Sequence, residues 1–348
     1  MEAIQANVVV PFGSLSIGGF SIFTVGLVRR EWRQTPNFNA RSEAEQPCKV
    51  TILVVSARLG ITMNTNEILN EGWLALEKED FITAARLYAI AAKEIPTDPQ
   101  VFMGLGASLY SLGRFSEALT AYLESLHYQS DNVRALLGVG LCYYALSDYP
   151  SAVQTFSDAI ERFPEHIDLY LHLSFVYRKN KNYQDALRVA QVAARLEPDN
   201  YAAYHELGAV FADKKDYEVA HEYYSKALRM KPTAPDVVFS MGVLSMAKED
   251  YLSAREAFLQ CLIDRPNWSK AHLGLAVVET KLRHFESASS SLHKAIAVNP
   301  GMSEAYLRLL KLDIRLLRWR EAYGVFQQLL HYRVEQAELR KGFVDPRA

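Results

Sequence analysis

The sequence predicts an all-α protein built as an array of about eight helix–turn–helix units, and three observations predict it. Alanine recurs every 34 residues, as Ala84, Ala118, Ala152, Ala186, Ala220, Ala254, Ala288 and Ala322. An aromatic stands three places before each of them: Phe81, Phe115, Tyr149, Tyr183, Tyr217, Tyr251, Phe285 and Trp319. Proline closes six of the blocks, as Pro96, Pro164, Pro198, Pro232, Pro266 and Pro300. No insertion breaks the register from Thr65 to Gln336. A fixed period in this range is the signature of a repeat architecture, in which each unit buries its apolar face against its neighbours.

The register divides the chain into eight blocks, 65–98, 99–132, 133–166, 167–200, 201–234, 235–268, 269–302 and 303–336, after a leader of residues 1–64 and before a tail of 337–348. Each block reads as two helices. In the fifth, Tyr204, Leu207, Gly208 and Phe211 recur at helical spacing, as do Tyr217, Ala220, Tyr224, Ala227 and Leu228. The polar run Asp213 to Asp216 between them marks a turn. Small residues at the eighth and twentieth places of a block let its two helices approach closely. Proline at the thirty-second place cannot continue a helix and ends the unit. Asp98 before Pro99, and Asn132 and Asn200, are expected caps for the helices that follow. The eighth block lacks the closing proline, so its second helix is expected to run from Trp319 to about Lys341, ahead of Gly342. Its atypical residues, Leu310, Leu329 and Val334, suit a cap whose outer side faces water.

This pattern resembles the tetratricopeptide repeat (TPR) family. That family has 34-residue helix–turn–helix units with small residues at places eight and twenty, an aromatic near twenty-four, Ala at twenty-seven and Pro at thirty-two. Place eight here reads Gly72, Gly106, Gly140, Ser174, Gly208, Gly242, Ala276 and Leu310. Place twenty-seven reads Ala91, Ser125, Ala159, Ala193, Ala227, Cys261, Ala295 and Leu329. The fourth block departs at Ser174 and Ala190, the second at Ser130, and the seventh carries Glu279 at an inward place. The resemblance implies a right-handed α-solenoid and a non-enzymatic protein that holds a partner segment in a concave groove.

Composition agrees with a soluble chain. Net charge is −2, which exerts no pull toward nucleic acid. The three cysteines, Cys48, Cys142 and Cys261, form no pattern, and the last two fall on repeat helices as small buried hydrophobes. The leader is different. Val8 to Val28 carries no charge and is followed by Arg29, Arg30 and Arg33. Its length suits a bilayer span, but Pro11 and several Gly and Ser make it only marginally apolar. Three readings stand: a leader without structure ahead of a start at Met63, a membrane anchor at 8–28, or a cleaved targeting segment. The expected location is cytoplasmic, with membrane association through 8–28 as the alternative.

The sequence carries no HExxH, CxxC, GxSxG or Gly-rich phosphate loop, so no catalytic residue, metal or cofactor is expected. Asp168 stands one turn before His172 and is placed to orient it, but no nucleophile completes the pair. The expected activity is therefore binding. The resemblance maps groove places two, five, six, nine and twelve onto a mostly apolar strip: Trp73, Met103, Tyr110, Leu137, Leu141, Tyr144, Leu171, His172, Phe175, Phe239 and Met246. Gly104 and Gly138 fall on it too. An exposed apolar strip marks an interaction site. The expected partner is an apolar protein or peptide segment, held by a scaffold or chaperone. The alternatives are a membrane-tethered assembly factor and a regulatory subunit of an enzyme. Leu69 and Trp73 stand where TPR proteins that clamp acidic chaperone tails use Lys and Asn, which argues against that subclass. Arg308, Lys311, Arg315, Arg318 and Arg320 crowd the last block, as a solvated face or a contact for an acidic partner.

Overall fold

The computed structural model describes residues 65–341. The leader, with the 8–28 segment and Cys48, and the tail from Gly342 lie outside the described residues. The described residues form sixteen helices and no strand. In chain order they are α1 (Thr65–Glu77), α2 (Phe81–Glu94), α3 (Pro99–Ser111), α4 (Phe115–Tyr128), α5 (Val133–Ala145), α6 (Tyr149–Arg162), α7 (Ile167–Lys179), α8 (Tyr183–Leu196), α9 (Tyr201–Asp213), α10 (Tyr217–Met230), α11 (Pro235–Ala247), α12 (Tyr251–Asp264), α13 (Ser269–Lys281), α14 (Phe285–Val298), α15 (Ser303–Arg315) and α16 (Trp319–Lys341). Every second helix begins on the repeating aromatic. The chain divides into two compact units, one ending at Asn180 and the other beginning at Lys181. The first carries α1–α7 and the second α8–α16. Within each unit every helix packs on its sequence neighbours, and first helices of successive blocks also touch, as α3 and α5 do in the first unit and α11 and α13 in the second.

Local chemistry sets the helix ends. The Asp98 carboxylate accepts from the Gln100 amide at 2.8 Å, with Pro99 in the first turn. Asn132 Oδ1 accepts from the Arg134 and Ala135 amides, and Asn200 Oδ1 from that of Ala202. These are the three caps the sequence marks. A signal that the sequence hides lies between the helices of each block. Residue fifteen is left-handed in all eight: Glu79, Gly113, Ser147, Lys181, Lys215, Glu249, Arg283 and Leu317, with φ from 59° to 73°. Only the second block writes glycine there, the residue that favours this conformation.

The core is a ladder of aromatics against glycines. Tyr88, Tyr122, Phe156, Tyr224 and Phe258, at place twenty-four, are all buried. A Cβ on Gly106 would lie 2.9 Å from the Tyr122 ring, and one on Gly138 would lie 2.5 Å from it. Tyr122 is thus clasped between a glycine of its own first helix and a glycine of the next. Gly242 and Gly274 clasp Phe258 in the same way. Gly104 and Gly138 therefore serve packing between repeats and do not line a free groove. All eight place-twenty alanines are buried. Cys142 and Cys261 are buried free thiols, and burial pushes both up to about 12. Cys261 Sγ donates to the Pro235 carbonyl, the same link that Ser125 Oγ makes to the Pro99 carbonyl four blocks earlier in the register.

One departure from the repeat pattern has a direct physical account. Glu279, inward in the seventh block, is buried but accepts from Arg255 Nε at 2.7 Å and meets His284 Nδ1 at 2.8 Å. A buried charge is tolerable when it is paired and hydrogen-bonded. The last block faces water, as a cap does, but with an apolar side. Trp319, Tyr323, Phe326, Leu330 and Val334 of α16 are all exposed.

Candidate partner-binding face

The first helices of the blocks carry the expected binding residues. In the first unit most of that face is closed. Met103 on α3 is buried and its Sδ accepts from Asn132 Nδ2 at 3.8 Å. Tyr110 is buried with its ring 5.2 Å from that of Phe115. Leu137 and Leu141 on α5, and Leu171 and His172 on α7, are buried too. Phe175 is 1% exposed. Its ring lies 4.8 Å from that of Tyr144, edge to face, with the Arg178 and Lys179 cations 5.3 and 5.6 Å from its centroid. These seven residues do not form the open strip expected of them; they are buried in the packing of the unit, Phe175 against the first helix before it and Tyr110 and His172 against second helices. Trp73 and Tyr144 are the two expected residues of this unit that remain half-buried.

His172 belongs with the packing residues. Its Nδ1 meets the Asp168 backbone carbonyl at 2.8 Å, and its ring lies 5.9 Å from that of Phe156. The Asp168 carboxylate is aimed elsewhere, 3.9 Å from His166 Nδ1. Burial lowers the His172 pKa, against the opposing pull of Asp168, which favours a neutral imidazole. His172 occupies the sixth place of its block, where Gly104 and Gly138 stand in theirs, and like them it covers the place-twenty-four aromatic of the preceding block.

The second unit presents a different face. On α11 Phe239 and Met246 are half-buried and Val243 between them is exposed. The inner side of Phe239 packs on Phe258 and Trp268, with centroids 5.3 and 4.9 Å away. On α13 Leu273 and Val277 are half-buried, and on α15 Leu307 and Ile314 are exposed. All three helices carry apolar residues at groove places, Phe239, Val243 and Met246 at five, nine and twelve, Leu273 and Val277 at five and nine, and Leu307 and Ile314 at five and twelve, with Thr280 and the exposed Lys311 at the two places left over. A hydrogen bond of 2.8 Å between His205 Nε2 and Ser240 Oγ ties α9 to α11 at one border. On α15 the face turns basic, with Lys311 exposed at place nine between Leu307 and Ile314, and Arg308 beside it. Arg308 is paired with Glu304 at 2.7 Å, and Arg318 with Glu286. The Arg315 guanidinium lies 5.2 Å over the Phe285 ring. Much of the basic crowd in the last block is thus already engaged by its own chain.

Three tetratricopeptide repeat profiles match the chain, one over residues 69–127 and 103–167, a second over 143–210 and a third over 201–233. The chain is a TPR protein. Solved structures agree on the fold. A chain of the APC/C hetero-tetramer Cut9–Hcn1 aligns with TM-score 0.53 at 16% identity, over 83% of this TPR protein and 58% of that chain. Yeast Tom70 aligns with TM-score 0.62 at 18% identity, over 83% of this chain and 66% of that one. A TPR protein from Parabacteroides merdae aligns with TM-score 0.57 at 15% identity, over 72% and 98%. The TPR protein therefore spans less than two thirds of the Cut9–Hcn1 chain and of Tom70. At these identities the likeness is one of fold. No curated protein matches the sequence. TPR arrays are protein–protein interaction scaffolds, a fold typical of non-enzymatic proteins, and they bind protein or peptide partners. Among the described residues no helix is long and apolar enough to cross a membrane.

Proposed function

We propose that this TPR scaffold holds an apolar segment of a partner protein, in the manner of a chaperone, on the face formed by α11, α13 and α15. One observation carries the reading. Val243, Leu307 and Ile314 are 42%, 51% and 45% exposed at groove places, on a unit whose interior is otherwise closed. With the half-buried Leu273 and Val277 of α13 between them, these exposed residues form an apolar face, and such faces mark binding sites. Phe239 and Met246, half-buried beside Val243, would supply the aromatic and adaptable contacts suited to a varied apolar segment. Leu137 and Phe175 are assigned to stability and not to recognition.

Panning a random peptide library against the full chain tests the proposal. The selected peptides are expected to be rich in apolar residues. Val243→Glu with Leu307→Glu is expected to weaken their binding roughly thirtyfold, the equivalent of about 2 kcal/mol. The outer pair Glu222→Ala with Glu256→Ala is expected to change it little. Arg255 is unsuitable for that control, because its loss would leave the buried Glu279 without one of its two partners. Selected peptides that are mainly acidic, or that bind the Val243→Glu, Leu307→Glu variant undiminished, would contradict the proposal.

A further inference from the structure

The exposed apolar stripe on α16 is explained by the ladder that builds the core. Place twenty-four of the eighth block is Phe326. Its counterparts Tyr88, Tyr122, Phe156, Tyr224 and Phe258 are 0–4% exposed, because the first helix of the following block closes over them. Phe326 is 46% exposed. Leu330 is likewise exposed, whereas Leu126, Ile160, Leu228 and Leu262 at the same place are half-buried. Trp319, Tyr323, Phe326, Leu330 and Val334 are spaced four, three, four and four apart, which puts all five on one side of the helix. The stripe is a slot shaped for another helix.

From this stripe we infer that two copies of the chain associate through their α16 helices, antiparallel about a two-fold axis near Phe326. Three observations select a second copy as occupant. First, the stripe is self-complementary. In an antiparallel pair centred there, Trp319 of one copy faces Val334 of the other, Tyr323 faces Leu330, and the two Phe326 rings meet. A two-fold interface requires such a self-matching patch. Second, α1 does not offer an apolar alternative. It exposes Asn66, Glu67, Asn70 and Glu71, so stacking α16 of one copy on α1 of another would set apolar rings on polar side chains. Third, the area suffices. With roughly 150–250 Å² for each wholly covered aromatic, three half-exposed aromatics plus Leu330 and Val334 give on the order of 500 Å² per chain. A pair then buries about 1,000 Å², near the lower bound for a specific interface and consistent with micromolar affinity.

Sedimentation velocity of the full chain between about 1 and 100 μM tests the inference, since micromolar association must show in that range. The expected result is a reversible passage from one chain to two, and no further. Tyr323→Glu with Leu330→Glu should weaken association at least ~100-fold with unchanged helical circular dichroism. Should that variant lose helix, a second arm decides. Gln327 is exposed beside the proposed axis, so Gln327→Cys should link two copies on mild oxidation. The substitution is made in a Cys48→Ser chain, and that chain without Gln327→Cys, whose Cys142 and Cys261 are buried, is the control. Three outcomes would overturn the inference: a single chain throughout with no Gln327→Cys cross-link, a mass that keeps growing past two chains, or a dimer that the glutamate pair leaves intact. A single chain in which Trp319 fluorescence is nevertheless shielded would mean that a segment of the same chain covers the stripe.

Discussion

At the scale of single residues, space decides more than polarity. Gly138 reads in the sequence as a place on a binding groove, yet it is the lid over Tyr122. Ala220 reads as a small residue at a helix contact, and is buried without remainder. Both make the same kind of prediction. Gly138→Ala places a Cβ 2.5 Å from the Tyr122 ring, and Ala220→Leu forces a larger side chain between α9 and α10. Each is expected to cost about 1–3 kcal/mol by overpacking, measured as a fall in thermal or denaturant midpoint. A neutral Ala220→Leu would contradict the repeat register, and a neutral Gly138→Ala the clasp around Tyr122. What one sequence cannot supply is how far the next helix covers a face. Spacing assigns Leu137 and Phe175 to the correct side of α5 and α7. Whether that side is open depends on the side chains opposite, such as Tyr144 against Phe175, and these follow from the stacking alone.

At the scale of elements, the helices and the places of the turns were legible, and the backbone conformation of the turns was not. The repeating aromatic, the place-twenty alanine and the caps at Asp98, Asn132 and Asn200 each leave a mark of composition. The left-handed residue at place fifteen leaves none, because seven of the eight blocks put a non-glycine residue there. Those seven carry a conformational penalty of roughly 1–2 kcal/mol each, offset in part by the lower unfolded-state freedom of a residue with a Cβ. Leu317 is the clearest case, since it is bulky, exposed and held at φ 59°. Leu317→Gly is expected to raise stability by about 0.5–1 kcal/mol, because the strain relieved exceeds the glycine entropy cost. Gly113→Ala is expected to lower it by about 1 kcal/mol for the converse reason. Midpoints of chemical denaturation check both, and a loss of stability in Leu317→Gly would show that the Leu317 side chain does more than occupy the turn.

At the scale of the whole molecule, repetition made the fold legible and left the site half-hidden. One 34-residue sentence written eight times fixes two helices per block and a stacked core, and the matching profiles and solved structures agree. The candidate site is where the sentence varies. Val243, Leu307 and Ile314 stand at ordinary groove places, and nothing in the residue types sets them apart from the buried Leu137 and Leu141. Their exposure appears only when the unit is assembled. The central claim is that α11, α13 and α15 hold an apolar partner segment. Photo-cross-linking tests it most directly, with a benzoylphenylalanine at Val277, in the middle of that face, and another at Glu256 on the outer side. With a panned apolar peptide bound, the claim predicts a covalent adduct from the Val277 probe and little from the Glu256 probe. Adducts from Glu256 with none from Val277, in a chain of unchanged helical content, would place the partner on the outer surface and contradict it.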